Sequence, residues 1–317
     1  MPNKQSSGVL LMKLFETVWN IIKTFLLNLK SSKTLDWNPN LFGVRGHSKN
    51  LADKISKFQK VYEIEETGVV DEPTIRRRAT EKEALTHVLK DFEDEHLLAG
   101  KPNIICGNRR IEIEWNKVVT FKEPASLKLS DKNYKKHTSE RHPTMFVAHW
   151  DVCLSSKSCF KILEKRGLSV HFLIDNDGTI YQIMDCNDIG WHAGNKKVNN
   201  TSIGVEISNA YYPKYQEIYR RKGFGPRPTL QNVKVHGRKL KPFLGFYDVQ
   251  IKAFKALAEA LNKAYDIPLV APMENNKLIE TTYSKVQDAT FKGVVSHYHI
   301  TERKIDCAGL KLDEVLK

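Results

Sequence analysis

Along residues 9–29, Leu11, Leu14, Phe15, Val18, Ile21, Ile22, Phe25 and Leu29 recur at helical spacing, with Lys13, Glu16, Asn20 and Lys23 opposite. That periodicity predicts an amphipathic helix. Lys13, Glu16 and Lys23 interrupt the apolar run and no small-residue cleavage site follows it, which argues against a membrane span or a signal peptide. Three placements are open to such a helix: against its own protein, on a membrane surface, or on a partner. Residues 51–59 read as a second helix, followed by a loop at Thr67-Gly68-Val69-Val70-Asp71 and a helix start at Glu72-Pro73-Thr74. Residues 81–98 read as a charged helix stopped by Gly100-Lys101-Pro102, where a domain boundary is expected. The expected organisation is an amphipathic helix over 1–35, a helical segment over 36–100 and a larger domain over 101–317.

Beyond residue 100 the period shortens. Residues 111–119 begin by alternating apolar and polar, as a half-buried strand does, and residues 122–142 read as a charged connecting loop. Met145-Phe146-Val147-Ala148-His149-Trp150 is a buried-strand run that delivers a histidine. Two apolar runs, 169–174 and 179–183, flank Asp175-Asn176-Asp177-Gly178, a strong hairpin signal. In Ser202-Ile203-Gly204-Val205-Glu206-Ile207-Ser208, the apolar residues share one face, and Glu206 points the other way with Gly204 and Ser208. A carboxylate in that position is costly unless it has a partner, and the bland alternative is an edge strand with a solvated face. Residues 211–246 form a basic, aromatic insertion, and 251–265 an amphipathic helix with Ile251, Phe254, Leu257, Ala258 and Leu261 on one stripe. Strands alternating with helices predict an α/β domain.

Composition narrows the partners more than the fold. An apolar fraction of 41% and a charged fraction of 27% in 317 residues describe a globular chain and exclude a disordered one. The net charge of +13 favours an anionic partner, whether nucleic acid, a membrane face or a wall polymer, and charge alone does not choose among them. Five cysteines without CxxC pairing argue against a disulfide framework and a Cys-only zinc site, and fit synthesis in a reducing cytoplasm. The candidate chemistry lies near the end of the chain. In Ser296-His297-Tyr298-His299-Ile300-Thr301-Glu302-Arg303-Lys304-Ile305-Asp306-Cys307-Ala308-Gly309, an apolar strand delivers histidine, and lysine, aspartate and cysteine follow. These are the side chains a zinc hydrolase needs: imidazole and carboxylate or thiolate as ligands, and a cation for developing negative charge.

Read in order, HW at 149–150, SVHFLIDNDGTIYQ, GWHAG, NNTSIGVEISN and SHYHITERKIDCAG resemble the zinc-dependent N-acetylmuramoyl-L-alanine amidase family, whose fold peptidoglycan recognition proteins and phage endolysins share. The resemblance runs from about residue 144 to the C-terminus. It implies a central mixed sheet flanked by helices and a Zn2+ cofactor. It implies His149 and His297 as ligands, His299 being the neighbouring competitor, and Asp306 as the third, with Cys307 as the alternative because the usual proline after the ligand is missing. It further implies Glu206 as general base, Lys304 as the oxyanion's cation, and Trp150, His171, Trp191 and His192 as substrate-cleft residues. His171 sits less well in that pattern, since Val170 stands where relatives carry an aromatic, and a packed structural role is the other reading. KFQKVYEIEETGVVDEPTIRRR resembles the small three-helix peptidoglycan-binding module. The implied activity is hydrolysis of the N-acetylmuramic acid–L-alanine bond in bacterial peptidoglycan, by an enzyme made without a signal peptide and acting on the cell wall. A non-catalytic peptidoglycan receptor on the same fold is the alternative. Anionic wall polymer and a membrane surface remain further partners. Nucleic acid is not expected, since it would leave the histidines unexplained.

Overall fold

A computed structural model describes residues 4–62, 64–85, 102–123 and 126–317. They group into two compact units, one of residues 1–79 with 218–225, the other of 80–217 with 226–317.

The first unit carries helices α1 (Lys4–Thr34), α2 (Lys49–Val61) and the start of α3 (Glu72–Leu85). Ser48 caps α2 through its side chain, and Leu51 and Ile55 of that helix pack with Trp37, Phe42, Val70 and Ile75. Gln59 is fully buried and holds the following turn. Its amide donates to Val69 O (2.8 Å) and Thr74 Oγ1 (3.0 Å), and its carbonyl accepts from Gly68 N (2.9 Å). Gly68 takes a left-handed φ of 66°, which a side chain would strain. The charged helix expected over 81–98 lies outside the described residues from 86 onward. No helix among the described residues is long and apolar enough to cross a membrane.

The second unit opens with the hairpin β1 (Asn103–Cys106) and β2 (Arg109–Glu112), followed by β3 (Val118–Thr120). The single strand expected over 111–119 is therefore divided: its start belongs to the hairpin and its end to the main sheet. Between them Trp115 turns to donate to Gly178 O at 2.7 Å. Then come β4 (Met145–Trp150), α4 (Ser156–Arg166), β5 (Phe172–Ile174), β6 (Ile180–Gln182), α5 (Lys196–Thr201), β7 (Ser202–Ile207) and the first two residues of α6 (Gln216–Arg221), whose other residues belong to the first unit. Short ribbons follow: β8 (Thr229–Leu230) pairs with β11 (Phe243–Leu244), β9 (Lys234–Val235) with β10 (Arg238–Lys239), and β12 (Met273–Glu274) with β13 (Lys277–Leu278). The long helix α7 (Asp248–Tyr265), the short α8 (Ser284–Gln287), β14 (Gly293–Ser296) and α9 (Leu312–Val315) complete the unit.

Six strands form one mixed sheet in the order β14-β4-β7-β5-β6-β3. Every pairing is parallel except β5 with β6, which the expected Asp-Gly turn joins. Helix α7 covers one face: Phe254, Leu257 and Leu261 pack with Phe146, Ile203 and Val205, and the rings of Phe146 and Phe254 stack at 5.1 Å. The second unit also holds residues 211–217 and 226–246 of the basic, aromatic insertion. Buried Arg227 ties these residues to the ends of the strands, donating to Ser208 O (2.6 Å) and Asn176 Oδ1 (2.5 Å) while lying over the Tyr247 ring.

Candidate active site

Strand register builds the site. In the parallel pair β4–β7, His149 stands opposite Glu206, and in β14–β4 the last paired position is Ser296 opposite Ala148. His297, opening the turn after β14, therefore arrives beside His149. Alternation places His149 and Glu206 on the face opposite to Phe146, Ala148, Trp150, Val205 and Ile207, which join the core beneath α7. The site thus forms at the C-terminal ends of the central strands, where ligand sites of such sheets gather.

His149 Nδ1 lies 2.9 Å from His297 Nδ1 and 3.2 Å from Asp306 Oδ2, and His297 Nδ1 lies 3.0 Å from the same oxygen. All three residues are buried. Burial and the neighbouring His297 push the His149 pKa down to about 4. Burial would raise the Asp306 carboxyl, but hydrogen bonds to His149 and His297 override it and hold the group well below the usual carboxylate range. At neutral pH His149 is thus a neutral imidazole and Asp306 an anion, the forms in which these side chains bind metals. Tetrahedral zinc with bonds of 2.0–2.1 Å separates its ligands by roughly 3.3 Å. The three donors need open by only a few tenths of an ångström to meet that spacing, so the set fits a zinc ion.

Glu206 belongs to the same face, and its Oε2 is buried without a hydrogen-bond partner. Burial first, then the carboxylates of Asp306 and Asp151, push its pKa well above the ordinary value, while Lys304 pulls it down. Lys304 is exposed in the loop before Asp306, and its charge reaches both Glu206 and His149. A buried carboxyl oxygen without a partner, on the same face as the donor cluster, is the kind of environment that prepares a general base.

His192 does not stand free in a cleft. Its Nδ1 lies 2.9 Å from His149 Nε2 and its Nε2 3.3 Å from Ser202 Oγ, which donates to Val198 O at 2.6 Å. Gly204 makes room for it: a Cβ there would come within 2.8 Å of the His192 ring. The motif reading missed Ser202 and Gly204, yet period-two alternation along β7 already places both on the face of Glu206.

The remaining candidates separate cleanly. His299 has both nitrogens committed, Nδ1 accepting from Ser296 N (2.9 Å) and Nε2 donating to Ile279 O (2.7 Å). His171 is likewise spent, accepting from Gly204 N (3.0 Å) and facing Asp188 O (3.0 Å), and burial with the Arg141 charge pushes its pKa down to about 3. Trp150 is buried on the opposite face against Tyr211 and Phe243, away from His149. Cys307 is fully buried in the hydrophobic core and does not join the donor group of the histidines. Trp191 is 38% exposed beside His192 and is open to a ligand. A second donor group, Asp151 with Cys153 and Cys159, has its carboxylate spent on Cys153 N, Asn209 N and Ser208 Oγ, and serves to lock the turn after β4.

The second unit is thus an α/β domain with a three-donor candidate metal centre at its strand ends. The chain belongs to the N-acetylmuramoyl-L-alanine amidase family, whose model (Amidase_2) matches residues 138–308, more than half of the 317 residues. No curated protein sequence matches the chain closely enough to count as a relative. Among solved structures, it is similar to an amidase from Clostridium intestinale (18% identity, 63% of this chain and 94% of that one, TM-score 0.35). It is similar also to AmpDh3 from Pseudomonas aeruginosa (22%, 60% and 66%, TM-score 0.35) and to a mutant endolysin from Bacillus subtilis (16%, 63% and 98%, TM-score 0.37).

Proposed function

We propose that the second unit is a zinc-dependent peptidoglycan amidase that cleaves the bond between the lactyl group of N-acetylmuramic acid and L-alanine. The observation that carries this reading is the unpartnered Glu206 carboxyl on the same strand ends as the converging His149, His297 and Asp306. Zinc bound by His149 Nδ1, His297 Nδ1 and Asp306 Oδ2 would acidify water and polarise the scissile carbonyl. Glu206 takes the proton of the attacking water and later returns it to the leaving L-alanine amine. Lys304 supplies positive charge where the carbonyl oxygen becomes anionic. Exposed Trp191 offers a flat apolar surface to the muramyl–peptide chain.

His192 fixes the proton pattern that this arrangement requires. For His149 to present an Nδ1 lone pair, its proton must sit on Nε2 and be donated to His192 Nδ1. The His192 proton then lies on Nε2 and goes to Ser202 Oγ, whose own proton goes to Val198 O. Every step has a donor and an acceptor, so the chain holds one tautomer of the ligand histidine. The helical segment of the first unit is read as a wall-binding module, built around the buried Gln59 turn. Digestion of purified peptidoglycan, with and without chelator and with zinc restored, tests the activity. New N-terminal L-alanine that depends on zinc is expected. New reducing sugar ends, or unchanged activity in chelator, would overturn it.

A further inference from the structure

Helix α1 faces its own unit with the wrong side. Thr17, Asn20, Thr24 and Asn28 line a cleft against α2 and the Gly68 turn, where Ile21 and Phe25 also reach. Buried Asn28 anchors the helix there, donating to Gly68 O (2.8 Å) and accepting from Val70 N (3.0 Å). On the opposite side Phe15, Val18, Trp19, Ile22 and Leu26 form one stripe, 74%, 47%, 59%, 45% and 55% exposed. At about 100° per residue that stripe is roughly 100° wide, the width at which a surface helix normally buries itself. Here the polar side is turned inward and the apolar side outward, and nothing among the described residues covers the stripe.

We propose that α1 docks through this stripe on the surface of an anionic lipid bilayer. Charge decides the occupant. Within α1 stand Lys4, Lys13, Lys23, Lys30 and Lys33 against the single acid Glu16. A wall polymer would satisfy the lysines but offers no apolar phase for Phe15, Trp19 and Ile22. A second copy of the chain would offer an apolar seam but would bring lysine against lysine. Treated as a heptad seam, the flanking positions hold Trp19, Ile21, Leu26 and Asn28, with no opposite charges to set a register. An anionic bilayer meets both requirements: acyl chains for the stripe, headgroup phosphates for the lysines, and an interface that suits the indole of Trp19. The helix lies in the surface and does not cross it.

The test is co-sedimentation of the full chain with vesicles of phosphatidylcholine alone or mixed equally with phosphatidylglycerol, at low and high salt. Binding at least tenfold stronger to the anionic vesicles, weakened by salt, is expected. Trp19→Glu with Ile22→Glu should reduce it at least tenfold, Lys23→Glu with Lys30→Glu should remove the preference for anionic lipid, and Trp19→Phe should retain binding. Far-UV circular dichroism confirms that each variant keeps its helices. None of these side chains belongs to the proposed catalytic set, so zinc-dependent hydrolysis of a soluble muropeptide should be the same in every variant. Equal binding to both vesicle types, or undiminished binding by Trp19→Glu/Ile22→Glu, overturns the proposal. Self-association in sedimentation velocity that Trp19→Glu abolishes, without vesicle binding, overturns it in favour of a seam between copies.

Discussion

Strands β4 and β7 serve two purposes on their two faces. Beneath α7, Phe146, Ala148, Trp150, Ile203, Val205 and Ile207 are buried and apolar, and any of them could be exchanged for a residue of similar volume at modest cost. On the other face the same strands carry His149, Ser202, Gly204 and Glu206, where His192 bridges His149 and Ser202 and one oxygen of Glu206 has no partner. The first face stores stability and tolerates variation. The second withholds stability, since burying an unpaired carboxyl is unfavourable.

The sharpest way to break this division is at the ligand set. Asp306→Ala should abolish both tight zinc binding and amidase turnover, whereas Cys307→Ala, altering a core thiol, should keep most of both. Zinc content and turnover on the same preparations decide it, and loss of metal from the cysteine variant instead would move the third ligand by one residue. Next in size, Glu206→Gln should retain zinc and lose turnover by ~10²–10⁴-fold. It should also leave stability unchanged or raised, because the strained ionisation disappears. On the opposite face Phe146→Ala should cost about 3–5 kcal/mol of stability in urea denaturation while the folded fraction still binds one zinc. Should that variant fold normally yet lose zinc, the two faces are not independent.

Smaller effects sharpen the boundary between them. His192→Phe keeps an aromatic ring but removes the acceptor for His149 Nε2–H, and zinc affinity should fall by ~10–100-fold. Nitrogen-15 NMR should show mixed tautomers at His149 in that variant and a single one in the parent. Acidity probes the histidines with no nitrogen to spare. Burial depresses His171 to about 3 and His299 to about 4 from an ordinary 6.5, so both stay neutral in the fold and protonate more readily once unfolded. Their stabilising contribution is complete above pH 6.5 and is lost as pH falls from there toward about 4 and then 3, by at most about 1.4 kcal/mol per pH unit for each group. Urea midpoints measured in chelator should decline over that range, and a flat profile would mean these imidazoles are hydrated.

The chain itself determined much of this. The alternation in Ser202–Ile207 separates an apolar face from the one bearing Glu206. The Asp-Gly turn fixes a hairpin, and five motifs in one order point to a family that the family model independently matches. Period-two counting also separates His149 from Trp150, although the motif reading grouped them. Such features are legible because they are local: side-chain direction in a strand and turn conformation depend on neighbours in sequence. Four other matters were not local, and only the tertiary structure decided them. Only Tyr298 separates His297 from His299, and either could have faced the centre until Ile279 O and Ser296 N claimed both nitrogens of one. Adjacent Asp306 and Cys307 diverge because the thiol sinks into the hydrophobic core while the carboxylate meets the two imidazoles. His192 reads as a cleft residue until β7 brings Gly204 and Ser202 beneath it. Helix α1 carries its stripe plainly in the sequence, but which side it turns to its own unit depends on Asn28 and the Gly68 turn, 40 residues away. Periodicity tells a side chain which way to point relative to its own element, and only packing tells it what will be there.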